Sequence, residues 1–370
     1  MNIYLLEPYY TGSHKAWADG YARASRHRVT RLTMPGYFWK WRMHGGAVTL
    51  TESLREAAAS HPPHLLLISD MLDATTLLAL TRDLTARVPV VFYFHENQLT
   101  YPPVPGSKRD LHYGWINYAS SLVSEHVLFN SRYHLEVWYD ELPRLLKHFP
   151  DFVPLETIAG LRQRSSVLPP GVSLERLRAP VESELPPRGH AGTPPLILWN
   201  HRWEFDKNPQ DFFALLDRIA AAGLPFRLAL AGESFRNLPE EFLAAGERFR
   251  EQLVHFGRAT REQYRALLQR SDIIISTAQH EFFGIATIEA IGAGAMPLLP
   301  QRLSYPELIP PSWHARVLYS SLDDAFERLA AWLRDGVPEH TLLQASVERY
   351  DWRQLAPRYD TLFERLVAAR

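Results

Sequence analysis

The chain has no cysteine among its 370 residues. Disulfides, thiolate nucleophiles and cysteine-bound zinc are therefore excluded, and a reducing, cytoplasmic setting fits. Lysine is scarce: Lys15, Lys40, Lys108, Lys147 and Lys207 stand among 40 basic residues. Each deserves separate scrutiny, because an ammonium and a guanidinium do different work. No apolar run reaches the roughly 18 residues of a membrane span. The segment from Met1 to Glu7 is too short and too acidic for a signal peptide and reads as a first strand. A net charge of -1 provides no global positive field, so a nucleic-acid partner would need a local basic face. Three motifs are missing: Asp-x-Asp, which would bridge a nucleotide sugar through metal; His-Glu-x-x-His; and the Gly-x-Gly-x-x-Gly dinucleotide fingerprint.

What remains is an ordinary globular composition, 46% apolar and 22% charged, in a chain long enough for two cores. Short aliphatic runs at Ile3–Leu6, Val29–Leu32, Leu65–Ser69, Val90–Phe94 and Val127–Phe129 alternate with helical patterns such as Thr75–Arg87 and Gly114–Ser124. That rhythm predicts an α/β fold with a parallel, doubly wound sheet. The run Leu168–Val172 closes this half as a strand and turn. The rhythm restarts at Leu196–Trp199, Arg227–Leu230, Val254–Phe256, Ile273–Ser276 and Pro297–Leu299, with helices at Pro209–Ala222, Arg261–Gln269 and Phe283–Ala293 and a helical pattern from Leu322 to Arg370. Between the halves, 178–195 holds five prolines and two glycines and lacks periodicity, as a linker does. The expected division is 1–177, linker 178–195, and 196–370, with terminal helices able to return to the first domain. Ligands of two such Rossmann-like halves, facing across a cleft, bind at the carboxyl ends of the strands.

The loops at those ends carry the polar chemistry. After the strand at Leu196–Trp199, Arg202 and Lys207 can converge on a diphosphate, one as a fork and the other as a point charge. Glu281 and Glu289 lie on either side of Phe283-Gly284-Ile285, which opens a helix after Ile273–Ser276. Such a helix start attracts anions, and eight residues of helix span at most about 12 Å, close to the reach from a sugar to a ribose. The spacing alone also suits two unrelated surface glutamates. Gly232 and Glu233 close another strand, where the glycine admits a nucleotide close to the backbone and the acid holds a hydroxyl or faces water. Phe256 follows the next strand, where residues often frame a base. In the first half, Gly12, Ser13 and His14 can hold an acceptor or phosphate near a helix start. His95, Glu96, Asn97 and Gln98 crowd polar groups directly after a buried strand, with Asn130-Ser131 a weaker member of the ring. Metal binding by His95 and Glu96 is a rival reading. Finally, Trp39, Lys40, Trp41 and Arg42 sit in an aromatic and basic run from Tyr37 to Gly46. As a loop it would stack bases and neutralise phosphates; as a helix cap it would simply snorkel its cations.

Taken together, the two glutamates, the Arg202/Lys207 pair and the Leu168–Val172 turn resemble the retaining nucleotide-sugar glycosyltransferases of the GT-B fold, in the large family numbered four. The stretches Leu6–His14, Pro35–Arg42 and Phe94–Pro102 narrow the resemblance to the tRNA-queuosine α-mannosyltransferase group. The resemblance implies transfer of mannose from GDP-mannose to the cyclopentene diol of queuosine in an aspartate tRNA, without cofactor or bound metal. It implies that Arg202 and Lys207 bind the diphosphate, Glu289 the ribose, and Glu281 the donor sugar with Phe283, Gly284 and Ile285 around it. His95 would lie near the reacting carbon, and Gly12 would give a phosphate or the acceptor room. Other nucleotide sugars with small-molecule, lipid or glycan acceptors, and a non-catalytic nucleotide-binding module, are the alternatives.

Overall fold

The aliphatic runs become parallel strands in a computed structural model, which describes every residue except 104, 105, 107 and 233–238. The chain divides into two units, Met1–Val172 with Tyr350–Arg370, and Ser173–Arg349. Unit 1 contains β1 (Asn2–Tyr10), β2 (Arg28–Pro35), β3 (Leu65–Ser69), β4 (Val90–Phe94), β5 (His126–Phe129) and β6 (Ser165–Val167), in the spatial order β2-β1-β3-β4-β5-β6. Unit 2 contains β7 (Leu196–Trp199), β8 (Arg227–Ala231), β9 (Leu253–Gly257), β10 (Ile273–Ile275), β11 (Met296–Pro300) and β12 (Leu318–Tyr319), in the order β12-β11-β10-β7-β8-β9. Every pairing is parallel. Helices cover both faces, so β3, β4, β7 and β11 are buried throughout and read as unbroken apolar runs. In each sheet the strand order turns back once, between β1 and β3 and between β7 and β10. These are the switch points where connections leave in opposite directions and a ligand finds room.

Both strands that the periodicity did not predict are edge strands. β6 has three residues, two of them serine, and β12 has two; neither is long enough to show alternation. Leu168–Val172 is not itself a strand: the ladder ends at Val167, and Val172 makes only an isolated bridge to Asp351. That bridge precedes the last helix, Trp352–Ala368. Its Trp352, Leu355, Ala356, Tyr359 and Phe363 share a core with Ile3, Leu5, Trp17 and Tyr21 of unit 1. The buried Asp360 carboxylate accepts from the Tyr21 and Ser25 hydroxyls and the Arg26 amide. A Cβ on Gly20 or Gly171 would fall 2.0 or 2.3 Å from the Trp352 indole, so both glycines are needed to seat it.

The proline-rich stretch 178–195 lies within unit 2 rather than swinging free. The Arg188 guanidinium donates to the carbonyls of Leu268, Gln269, Ser271 and Ala293. Asp272 accepts from the amides of Gly189 and Leu196. Aperiodic sequence here marks a segment held by two arginines, Arg178 donating to Gly292 O as well, and by capped backbone groups, without a helix or strand between Ala179 and Pro195.

Candidate active site

In unit 2 the loops that follow β7 and β10 are laced together at the switch point. The amides of Gln279 and His280 donate to Asp206 O at 2.8 and 3.2 Å. The Thr277 hydroxyl donates to the carbonyls of Lys207 and Asn208. The buried Lys207 ammonium reaches His280 O at 2.8 Å, Glu281 Oε2 at 3.2 Å and Asp206 Oδ2 at 3.2 Å. The first two contacts are hydrogen bonds, whereas Asp206 Oδ2 is held as an ion pair alone. Burial works against charge on Lys207, yet Glu281 and Asp206 outweigh it and raise its pKa. Burial likewise works against an ionised Glu281, and Lys207 outweighs it, so that carboxyl is held below its ordinary range. Burial, reinforced by the positive charge of Lys207, brings His201 and His280 down to about 4, so both imidazoles are neutral near pH 7. Arg202 is the solvent-exposed cation of the same loop, and its charge is felt by Lys207 and His280.

Gly284 sits at φ +94, the left-handed region, and begins the helix Ile285–Gly292. A side chain there would be strained, and its Cβ would meet Leu308 Cδ1 at 3.2 Å. The turn before it is fixed by the Ser304 hydroxyl, which donates to Phe283 O at 3.0 Å and Glu281 O at 3.3 Å. Phe283 is buried and Ile285 half-buried; the first amides of the helix have no intrahelical acceptor. Glu289 accepts from the Tyr264 hydroxyl at 2.8 Å, and Asn200 donates to the Tyr264 hydroxyl and to Ala286 O. Burial pushes the Glu289 carboxyl up to about 7, with the Tyr264 hydrogen bond opposing. Asp206 and Tyr264 belong to this site and were not singled out from sequence. Asp206 stands inside the Arg202–Lys207 loop and was legible there, whereas Tyr264 comes from a separate helix, Arg261–Arg270.

Two further positions find local explanations. The space beside Gly232 is taken by His201 O, 2.2 Å from where a Cβ would stand, and by the Trp203 indole at 2.6 Å. Phe256 packs its ring 4.9 Å from Trp203 and is 39% exposed. Glu233 lies outside the described residues.

In unit 1 the switch point gathers side chains from three strands. Glu7, fully buried in β1 three residues before its end, accepts from the Tyr9 amide at 2.8 Å and from His14 Nδ1 at 3.0 Å. His95, directly after β4, places Nε2 3.7 Å from the same Glu7 oxygen. Its ring lies 4.1 Å from that of His14, with Trp17 and Tyr93 at 4.6 and 4.8 Å. Asp70, after β3, accepts from the His95 amide at 2.9 Å. Burial alone would lower the His14 pKa, but Glu7 outweighs it and raises it to about 9. Burial and the neighbouring charges of His14 and His134 hold His95 well below its ordinary value. Burial holds the Asp70 carboxyl well above its own, with His14 opposing. Two imidazoles in contact are thus kept in opposite charge states, one protonated and one neutral. Among the described residues, Glu7, His14 and His95 are also the group whose donor atoms, within 4.8 Å of one another, can converge on an ion. Glu96 is not one of them, so the rival metal reading of His95 with Glu96 shifts to Glu7 and His14. Glu7 and Asp70 had not been singled out; each is a lone acid in an apolar strand end, distinguishable from a structural residue only once the strands are aligned.

The rest of the polar loop is turned partly on itself. The Asn97 carbonyl oxygen accepts from the amides of Leu99 and Thr100 and the Thr100 hydroxyl, a side-chain-capped turn. Gln98 donates to Glu96 at 3.1 Å. Asn130 donates to His95 O at 2.8 Å. Gly12 begins the helix Gly12–Ala24 at φ +50 with nothing within 4 Å of its missing Cβ, and Ser13 is exposed beside it. The aromatic run is not a loop: the helix Trp39–Ser60 begins inside it. Trp39 packs on Tyr113 at 4.9 Å, and Arg42 is buried with its guanidinium donating twice to Pro35 O. Lys40 and Trp41 remain exposed.

Residues 2–172 match the family described as tRNA-queuosine alpha-mannosyltransferase N-terminal, and residues 181–344 match glycosyl transferases group 1. A tRNA-queuosine alpha-mannosyltransferase of Drosophila melanogaster is 31% identical over 99% of this chain and 97% of its own. A GDP-mannose:cellobiosyl-diphosphopolyprenol alpha-mannosyltransferase of Xanthomonas oryzae pv. oryzae is 30% identical over 46% of this chain and 47% of its own. Sucrose-phosphate synthase from Thermosynechococcus elongatus superposes with a TM-score of 0.74 at 14% identity, covering 100% of both chains, and shows the GT-B fold. No helix among the described residues is long and apolar enough to cross a membrane. The chain is a GT-B glycosyltransferase and belongs to the tRNA-queuosine alpha-mannosyltransferase family.

Proposed function

We propose that the enzyme transfers mannose from GDP-mannose to the cyclopentene diol of queuosine in tRNA(Asp), with retention at the anomeric carbon. The observation that carries this reading is similarity along the entire chain to the Drosophila enzyme of that name. The Xanthomonas relative, named for GDP-mannose, supports the same donor. In this reading the acceptor hydroxyl attacks the anomeric carbon from the side of the departing phosphate. The carbon–phosphate-oxygen bond breaks, and the leaving phosphate oxygen takes the hydroxyl proton, so that no separate general base is required. Arg202 and Lys207 offset the charge that gathers on the diphosphate. Glu281, held ionised by Lys207, accepts from mannose hydroxyls beside the helix start at Phe283-Gly284-Ile285, and Glu289 accepts from the ribose. His95 and its Glu7–His14 support belong to the acceptor side of unit 1. The cationic pair takes the part that a metal plays in other nucleotide-sugar sites, and no cofactor enters.

The Xanthomonas match favours a second reading, in which the acceptor is a lipid-linked glycan. Incubation with labelled GDP-mannose and bulk tRNA from queuosine-replete and queuosine-free cells tests both. Label is expected in the queuosine-replete pool alone. Equal labelling of the two pools, or of neither, overturns the queuosine assignment, and labelling of a diphosphopolyprenol glycan instead establishes the second reading.

A further inference from the structure

One carboxylate oxygen of unit 1 faces two imidazoles. Glu7 Oε1 takes the Tyr9 amide at 2.8 Å. Its other oxygen, Oε2, stands 3.0 Å from His14 Nδ1 and 3.7 Å from His95 Nε2. The Glu7 side chain is fully buried, and those of His14 and His95 are 8% and 7% exposed. The group is held from several sides. The His95 amide donates to Asp70 at 2.9 Å, and the His95 carbonyl accepts from Asn130 at 2.8 Å. Trp17 and Tyr93 pack on the His95 ring at 4.6 and 4.8 Å. His14 is carried by the first turn of the helix Gly12–Ala24, and its ring meets Tyr9 edge-on at 5.6 Å.

These contacts do not make a closed hydrogen-bonded cluster. At 3.7 Å the His95 nitrogen is beyond hydrogen-bond reach of Glu7, and His95 Nε2 is buried without a hydrogen-bond partner. A buried polar atom left unpaired is costly, and this one points at the oxygen that His14 also uses. The donor atoms of the three side chains all lie within 4.8 Å of one another. Around a tetrahedral zinc ion, with bonds of about 2.0–2.1 Å, ligand atoms stand roughly 3.3 Å apart. That spacing falls between the two separations measured from Glu7. Only the two imidazoles have to draw together, and turning the His95 ring sacrifices no hydrogen bond at Nε2. The donor set is selective as well. Two imidazoles with one carboxylate suit zinc, whereas magnesium and calcium take oxygen ligands. The chain has no cysteine to compete for the ion, and among the described residues no second group of three such side chains converges.

We propose that Glu7 Oε2, His14 Nδ1 and His95 Nε2 bind zinc(II) reversibly, as an inhibitory ion and not as a cofactor. Metal ligands are deprotonated, so the ion takes the place of the proton on His14, which leaves to solvent. The ion links β1, the loop after β4 and the helix Gly12–Ala24. Because it binds the folded chain, it raises thermal stability. It also occupies the one His95 nitrogen that the fold leaves unpaired, and transfer falls. Zinc binding requires nothing of the proposed reaction; the inhibition alone rests on the acceptor-side role proposed for His95.

The test titrates the metal-stripped, full-length protein with zinc(II) against a chromophoric chelator, with magnesium as the control ion, and repeats thermal melts with and without zinc. Wild-type protein is expected to bind one zinc ion tightly, to ignore magnesium at the same concentration and to melt at a higher temperature with zinc. Glu7→Gln, His14→Ala and His95→Ala should each weaken zinc binding by more than the roughly 10–100-fold that loss of an outer partner of a metal ligand costs. Each should also cancel the zinc-dependent rise in melting temperature. His95→Ala breaks no hydrogen bond at Nε2, so it keeps the test decisive should the Glu7 variant fail to fold. The rival ligands are the exposed His44 and His112, whose rings stack at 4.9 Å; His44→Ala should leave zinc affinity unchanged. Unchanged affinity in His95→Ala overturns the proposal, as does loss of binding in His44→Ala or equal binding of magnesium. Zinc should stop labelled-mannose transfer and a chelator restore it; transfer that continues with the ion bound overturns the inhibitory role. The outcomes also separate site from reaction. A protein that binds zinc through these three side chains but transfers no mannose sinks the reaction and spares the site. Transfer to queuosine tRNA by a protein whose zinc affinity the three variants leave unchanged does the reverse.

Discussion

The two switch points solve the same electrostatic problem with different chemistry. At β7/β10 a buried carboxylate is balanced by a lysine, and at β1/β3 by a histidine. Lys207 keeps its charge at neutral and mildly alkaline pH, since Glu281 and Asp206 raise a pKa that is already alkaline. The partner of Glu7 is His14, which loses its proton near pH 9. The first pair is permanent, as would suit the proposed contact with a diphosphate. The second is conditional, and its charge can be removed in solution without a mutation. Connectivity differs as well. Backbone hydrogen bonds join the two loops around Lys207; in unit 1 one such bond, Asp70 N to Tyr93 O, ties the β3 and β4 ends, and the remaining contacts among Glu7, Asp70, His14 and His95 are made by side chains and the His95 amide.

The largest effect is expected from breaking the permanent pair. Lys207→Ala leaves Asp206 and Glu281 without their cation. Stranding a buried charge costs about 3–5 kcal/mol, and loss of a group that stabilises developing charge typically costs about 100-fold or more in turnover. Labelled-mannose transfer and a thermal melt should therefore both fall. Arg202→Ala, at an exposed position in the same loop, should lower transfer with little change in melting temperature. Near-normal transfer by the lysine variant would remove Lys207 from the chemistry and leave it a purely structural clamp.

Next comes the conditional pair. The His14 pKa is about 9 in the folded protein against 6.5 unfolded, so the folded state holds the proton more tightly. Its contribution to stability is complete below about pH 6.5 and is lost as pH rises through about 9, an amount on the order of 3 kcal/mol. Glu7→Gln keeps the shape and removes the charge. Urea melts from pH 6 to 10 should show wild-type stability falling across that window and a flatter, lower profile in the variant. Parallel profiles would mean that His14 draws its proton affinity from elsewhere.

Legibility followed this same division. Arg202, Lys207, Glu281, Gly284 and Glu289 stand in two continuous stretches, each a strand end with its loop, and a strand end can be read from a β-branched run. The first-half site is assembled across strands, and nothing local distinguishes Glu7 or Asp70 from any acid at the end of an apolar segment. Asn97, in the same polar loop, closes a turn with its own oxygen, a local task that the sequence did not separate from acceptor binding. The aromatic run was read both as a loop and as a helix cap, and Arg42 decides for the helix by bonding back to Pro35 O. Edge strands β6 and β12 escaped because two or three residues carry no period.

A smaller effect tests Glu281, proposed for the sugar, against Glu289, proposed for the ribose. Glu281 is held ionised by Lys207, whereas Glu289, with only a tyrosine hydroxyl to help, is raised to about 7 by burial. A carboxylate accepts hydroxyl hydrogen bonds best when ionised. Donor affinity, measured by calorimetry with GDP-mannose, should accordingly strengthen as pH rises from 6 to 8. Glu289→Gln should weaken binding about 10-fold, since one hydrogen bond to a charged group contributes about 1.5–3 kcal/mol, and should abolish that slope. A slope that survives the substitution would assign the titration to another group.

The smallest effect compares the glycines that open a helix at each site. Gly284 at φ +94 and Gly12 at φ +50 both occupy the left-handed region, where alanine costs about 1–2 kcal/mol. Their surroundings differ: a Cβ on Gly284 would press on Leu308 at 3.2 Å, whereas one on Gly12 meets nothing within 4 Å. Gly284→Ala should therefore lower stability by more than Gly12→Ala and should weaken GDP-mannose binding, because the turn carrying Glu281 has to shift with it. Gly12→Ala should show the backbone cost alone, with donor affinity altered only if the open space in front of that residue receives part of the donor. Equal losses of stability in the two variants would mean that Leu308 yields freely and that strain at Gly284 is entirely a matter of its backbone.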